Sequence, residues 1–128
     1  MQPAPELLTL LARYYEASGA SDADYLAAYM SHDPGALVVG TADEEWWRGG
    51  EQIIALWSNA WRSRGGLAVT GSNPQAFREG SVGWLSDQAC WVRRDGSEIP
   101  FRITAVFHLE AGQWRCIQAH YSLGVPNS

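Results

Sequence analysis

The chain contains no lysine at all, and its nine basic residues are arginines scattered against fourteen Asp and Glu, leaving a formal net charge of −5. A nucleic-acid partner would need a stripe of cationic side chains to displace counterions, so none is expected. Cysteine is scarce too. Cys90 and Cys116 lie in strand-like segments without metal-ligand spacing or a second Cys/His pair, which argues for reduced buried thiols and against a metal site. No stretch approaches the ~20 apolar residues of a membrane span. The segment from Met1 to Pro5 has neither the basic region nor the apolar run of a secretion signal, so a cytoplasmic protein is expected. What is present is a chain 46% hydrophobic and 18% charged, long enough at 128 residues to bury one core, so residues 1–128 read as a single domain. Seven tryptophans exceed the needs of an ordinary core of this size, and some of them should wall a cavity or an interface.

Apolar residues at helical spacing, Leu7, Leu8, Leu11, Tyr14 and Tyr15, predict a helix over 6–17, with Pro5 suited to its first turn and Ser18-Gly19 as a stop. Ser21 followed by Asp24 reads as a capping box opening a second helix that carries Tyr25, Leu26, Tyr29 and Met30, ended by Asp33-Pro34-Gly35. A short strand over 36–40 precedes a polar, Gly-containing segment, 41–50, which reads as a solvated loop carrying Glu44-Glu45 and folding Trp46-Trp47 either back onto the domain, as an aromatic lid, or out toward a partner. A third helix over 51–62 aligns Ile53, Trp57 and Trp61 on one stripe. Four strand-like runs follow, over 67–77, 81–93, 99–110 and 113–123, joined by turns at Arg78-Glu79-Gly80, Arg93-Arg94-Asp95-Gly96 and Ala111-Gly112. Helices followed by an antiparallel meander give an α+β fold, in which a cone-shaped curved antiparallel sheet wraps around three N-terminal helices in a cystatin-like roll.

A two-residue turn at Ala111-Gly112 places Leu109 opposite Trp114, Phe107 opposite Cys116, Ala105 opposite Gln118 and Ile103 opposite His120. His120 would then face the helices. Its unperturbed pKa near neutrality makes it the leading acid/base candidate, with Asp87 and Tyr14 as possible partners and Tyr29 and Arg102 as further polar groups. The competing reading is a buried His120 that merely satisfies its own hydrogen bonds. His32 and His108 are expected to be exposed or interfacial.

Five segments in order, Arg13-Tyr14, Asp22-Ala23-Asp24, His32-Asp33-Pro34-Gly35, Arg48-Gly49-Gly50-Glu51-Gln52-Ile53-Ile54, and Gly112-Gln113-Trp114 through His120-Tyr121-Ser122, resemble the SnoaL-like branch of the nuclear transport factor 2-like superfamily. The resemblance implies a pocket between sheet and helices and homodimers formed through the sheet. Members range from ketosteroid isomerases, dehydratases and polyketide cyclases to the association domain of calcium/calmodulin-dependent kinase II. It carries the isomerases' oxyanion-hole tyrosine onto Tyr14, but their general-base aspartate onto Gly40 and their second carboxylic acid onto Thr104 or Ala105. Without that base, ketosteroid isomerisation itself is not expected. Against the kinase module, the polar pocket positions fall near Ile53 and Ala105, both apolar here.

The expected site is therefore a mostly apolar, aromatic pocket lined by Tyr29, Trp47, Ile53, Trp57, Trp61, Trp84, Ala105 and Gln118. Such a pocket suits a small hydrophobic or aromatic molecule, with proton-transfer chemistry of the isomerase, cyclase or dehydratase kind by His120, Tyr14 and Asp87, and no cofactor. A non-catalytic homodimeric binding or association module is the alternative. A third, weaker reading is a toxin-immunity or stress-associated structural partner with Trp46 and Trp47 exposed on one patch.

Overall fold

The computed structural model describes residues 1–127. Its elements are, in order, β1 (Gln2–Pro3), α1 (Pro5–Ala20), α2 (Tyr25–Tyr29), β2 (Leu37–Val39), β3 (Trp46–Arg48), α3 (Gly50–Arg64), β4 (Ala68–Thr70), β5 (Gln75–Glu79), β6 (Val82–Val92), β7 (Glu98–Glu110) and β8 (Gln113–Ser122). One curved sheet runs β1-β5-β6-β7-β8-β2-β3, with β4 paired to the far end of β6. The three helices cover its inner face, giving the expected α+β cone. All pairs are antiparallel except β2 with β8, which is parallel and closes the sheet beyond the meander.

Helix α1 buries Leu7, Leu11, Tyr14, Ala17 and Ser18, one stripe at helical spacing, against the sheet. It runs past Gly19 to Ala20. The stop is Ser21, left-handed at φ 55°, whose N–H caps the carbonyls of Ala17 and Ser18. The expected capping box is not formed: α2 is one turn of five residues without a side-chain cap, and the Ser21 hydroxyl instead accepts from the N–H of Gly66. Residues 46–48, expected in a loop, form β3 and pair with β2, Trp47 opposite Val38 and Trp46 opposite Val39. Two indoles and an arginine with an extended partner fit a pleated surface better than a coil. The expected strand over 67–77 is two strands. Gly71 turns at φ 69° and Pro74 has no N–H to donate, so the ladder is interrupted between β4 and β5.

The inner face of the long strands is regular. Gly83, Leu85, Asp87 and Ala89 of β6 and Phe101, Ile103, Ala105 and Phe107 of β7 are all buried. Strand β8 departs from the expected register: Phe107 pairs with Cys116, but Val106 pairs with Gln118, leaving Ile117 without a partner. This β-bulge reverses the alternation. Ala119 and Tyr121 point inward, whereas Gln118 and His120 point to the outer face, where both are exposed.

Two contacts lock the helices at the base of the cone. Gly50 packs so tightly on the chain at 31–32 that a Cβ would collide with the Ser31 carbonyl oxygen and lie 2.7 Å from His32 Cα. The His32 ring bridges helices, its Nδ1 2.5 Å from Glu51 Oε1 and its Nε2 2.7 Å from the carbonyl oxygen of Ala27. Both partners are acceptors, so this geometry favours the doubly protonated ring. These bonds to Ala27 and Glu51 raise its pKa above 6.5, against smaller opposing effects of burial and of Arg115.

Gly50→Ala should lower stability by about 1–3 kcal/mol, read as a shift in urea midpoint, because backbone cannot yield as a side chain can. Gly124→Ala, with open space around it, should leave the midpoint unchanged. The His32 clasp contributes fully below the unfolded-state pKa of about 6.5 and is lost as pH rises through the higher folded-state value. The stability gap between the wild type and His32→Gln should therefore be widest near about pH 5.5 and close in the alkaline range; a gap constant with pH would refute the clasp.

Candidate functional site

The bulge and the inward pleat bring a continuous set of rings together under α1. Tyr14 stacks on Tyr29 with centroids 4.6 Å apart and lies 6.0 Å from Trp61. Its hydroxyl is 3.0 Å from that of Tyr121, both buried. From Tyr121 the array continues to Trp57 and to Trp91, each at 6.0 Å, and Trp91 stacks on Phe101 at 4.0 Å. Trp47 meets Trp57 edge to face at 5.8 Å. Trp47, Trp57 and Trp91 are half-buried, so the wall of rings begins at the surface and ends at the phenol pair.

Burial raises the pKa of Tyr14, partly offset by its bond to Tyr121, and raises those of Tyr29 and Tyr121 well above the ordinary phenol value. All three stay neutral at physiological pH and can act only as hydrogen-bonding groups. Burial likewise pushes the Cys116 thiol up to about 12, which makes it inert. Among the described residues no three His, Cys, Asp or Glu side chains are placed to hold a metal ion.

The sequence-predicted residues divide sharply. Tyr14, Tyr29, Ile53, Trp61 and Ala105 are buried between helices and sheet, and Trp47 and Trp57 stand at their edge. Trp84 does not line this space: it shares the outer face with Phe77 and Val106, its cross-strand partners. Gln118 and His120 were expected inside and lie outside, because of the bulge at Ile117. Asp87 does face inward, only 4% exposed, but meets no histidine. Its Oδ2 accepts from the Tyr15 hydroxyl at 2.6 Å and its Oδ1 from the Asn73 N–H at 2.7 Å, fastening α1 to the β4–β5 turn.

Sequence reasoning missed Tyr121, Trp91, Phe101 and Glu45. The first depends on the bulge. Trp91 and Phe101 were within reach, since both continue the inward parity of Asp87 and Ile103 along their strands. Glu45 follows Gly40 across the β2–β3 turn. Gly40 donates its N–H to the Glu45 carbonyl at 2.7 Å, and a Cβ on Gly40 would lie 2.7 Å from Glu45 Cβ and 3.0 Å from its carboxyl carbon. The Glu45 side chain thus occupies the space that residue 40 leaves empty, on the same face of the hairpin as Val38 and Trp47, and is braced by the Ala42 N–H at 3.0 Å.

Two surface concavities lie elsewhere, one of about 300 Å³ along α1 and one of about 440 Å³ beside the first turn of α3. The cone itself is occupied by its own rings. Removing one hydroxyl of the buried pair should show this: Tyr14→Phe strands the Tyr121 hydroxyl and should cost about 1–3 kcal/mol. The double variant Tyr14→Phe/Tyr121→Phe should cost less than the sum of the singles in a denaturant cycle; strict additivity would mean that the two hydroxyls do not interact.

A family model described as a SnoaL-like domain matches residues 7–126. No curated protein matches the chain. Among solved structures, it is similar to an NTF2-like protein of unknown function from Pseudomonas putida, with 17% identity, 92% of this chain and 84% of the other covered, and a TM-score of 0.76. A candidate calcium/calmodulin-dependent protein kinase type II association domain from Thiobacillus denitrificans aligns at 18% identity over 98% of both chains with a TM-score of 0.76. A candidate ketosteroid isomerase from Parabacteroides distasonis gives 17%, 94% of this chain, 86% of the other and 0.74. At such identities the structures show the shared fold and nothing of chemistry. On the strength of the match over 7–126, the chain belongs to the SnoaL-like domain family.

Proposed function

We propose that this protein binds a small hydrophobic or aromatic molecule against the ring wall at the mouth of the cone, and that it does so as a homodimer joined through the outer face of the sheet. The observation that carries the binding reading is the run of half-buried indoles, Trp47, Trp57 and Trp91, ending on the buried Tyr14–Tyr121 hydroxyl pair. A flat ligand stacks on the half-buried rings and, by displacing the ring in front of it, reaches the hydroxyl pair as its one polar anchor. The dimer reading is supported by the outer row of Phe77, Trp84 and Val106 and, on the same face at the β3 edge of the sheet, by Trp46, 53% exposed. His120, between Thr104 and Val39, belongs to that face. Two free thiols suit a reducing cytoplasm, and the reading needs no cofactor.

Proton transfer is the chemistry this wall can support. The resemblance to the isomerases left position 40 without its base, and the Glu45 carboxylate fills that space from the neighbouring strand. In this reading Glu45 takes a proton from the carbon beside a carbonyl, and the tyrosine pair, held neutral, donates a hydrogen bond to the oxygen as charge develops there. Asp87 is a positioning residue, since both its oxygens are already engaged. The filled interior favours the second reading, a non-catalytic binding or association module, in which the rings are core and Glu45 only braces a turn.

Two probes separate these readings. 2-Naphthol should quench the tryptophan fluorescence of the full chain saturably, and Trp57→Ala should weaken its binding by about tenfold. 2-Tetralone in deuterated buffer should exchange its α-hydrogens faster with protein than without. That acceleration should vanish in Glu45→Gln and fall about 10–1000-fold in Tyr14→Phe. Saturable quenching without accelerated exchange leaves the module; no saturable quenching at all ends the small-molecule reading.

A further inference from the structure

The flank of α1 carries a groove of about 300 Å³, apart from the ring wall, bounded by Leu8, Ala12, Tyr15 and Glu16 on the helix and by Val69 and Pro74 opposite. We propose that this groove is a binding site for a small apolar ammonium ion, its hydrocarbon part against the aliphatic walls and its charged head between the Tyr15 ring and the Glu16 carboxylate. The proposal stands independently of the function argued above.

Shape is the first argument. The groove has an apolar lining and a volume at the low end of what small-molecule sites use. Its open space persists because the side chain at position 12 is only a methyl group, while at one end α1 approaches β4 closely, a Cβ on Gly19 reaching to 3.5 Å of the Ala68 Cα.

Charge is the second. Neither Lys nor Arg lines the groove, and Glu16 takes part in none of the ion pairs formed by the described residues. At the hydroxyl end of the Tyr15 ring lies Asp87, whose two oxygens both accept hydrogen bonds and which pairs with no cationic side chain among the described residues. A buried carboxylate is ordinarily matched by a cation. Here the negative field instead reaches the groove through a phenol that donates to the carboxylate, which enriches the ring face in electron density. An ammonium over that face gains a cation–π attraction and, from Glu16, a direct charge pair. A neutral molecule of the same shape gains neither.

The test titrates 2-phenylethylammonium and 2-phenylethanol onto the full chain, following the backbone amide signals of Ala12, Gly19 and Ala68. The ammonium should bind about tenfold more tightly than the alcohol. Glu16→Gln should bring the two together, and Ala12→Trp, on the exposed side of the helix, should abolish both. Trp57→Ala should change neither, which keeps this site distinguishable from the ring wall. Equal affinity for alcohol and ammonium, silence of these three amides at saturating ammonium, or loss of binding in Trp57→Ala would each overturn the proposal.

Discussion

One unpaired residue, Ile117, decides which side of β8 faces the helices. Up to Cys116 the strand alternates in step with β7; after the bulge it alternates in the opposite sense. Everything about the interior follows from that reversal. It sends the imidazole of His120 and the amide of Gln118 outward and brings in the methyl of Ala119 and the phenol of Tyr121. The inward set on β8 then becomes Cys116, Ala119 and Tyr121, small or aromatic throughout, and compatible with an apolar filling between Phe107 and α1. Without the bulge, two polar side chains would need buried partners that the helices do not offer.

Because the interior is aromatic, its polar groups are few, and two pairs of them hold one another. The hydroxyls of Tyr14 and Tyr121 satisfy one another, and Tyr15 satisfies Asp87. Each pair joins α1 to the sheet, so the polar bonds specify where the helix sits along strands whose apolar surface would tolerate sliding. Hydrophobic burial contributes most of the stabilisation, about 1.5–3 kcal/mol for each large side chain such as Phe107 or Leu11. The hydroxyl pairs contribute less, about 1 kcal/mol each, but only in one register.

Much of this was legible in the chain. Helical stripes, the long strands and their turns are local signals, and Leu7, Leu11, Ile53 and Phe107 fell where periodicity puts them. So did the helix carrying Trp57 and Trp61. What escaped was non-local. A bulge is a relation between two strands, and nothing in Cys116-Ile117-Gln118 taken alone says which residue will lack a partner. The pairing of Trp46-Trp47-Arg48 with β2 depends on a neighbour nine residues earlier, and polarity on either side of the indoles made a loop of it. The parity of β6 could have been read correctly from Gly83, Leu85 and Ala89. Trp84 drew the inward assignment because large aromatics are expected inside, and here it serves the outer face. The resemblance to the isomerases located Tyr14 and the vacancy at Gly40, but only coordinates show a carboxylate from position 45 standing in that vacancy.

That substitution bears on how one fold serves both catalysts and scaffolds. A carboxylate borne on the strand itself is fixed by the backbone that carries it. One reaching across from the facing strand is fixed only if something holds it, and the Ala42 N–H does so here. The same bond occupies one of the carboxylate's oxygens, which orients it but also draws it toward the turn. Whether Glu45 acts as a base or as a brace thus comes down to competition between one backbone donor and a ligand lying on Trp47. A carboxylate has lone pairs for both at once, since each oxygen accepts more than one hydrogen bond. Bracing and proton transfer are therefore compatible in this hairpin, provided that a bound molecule presents an acidic carbon to its second oxygen.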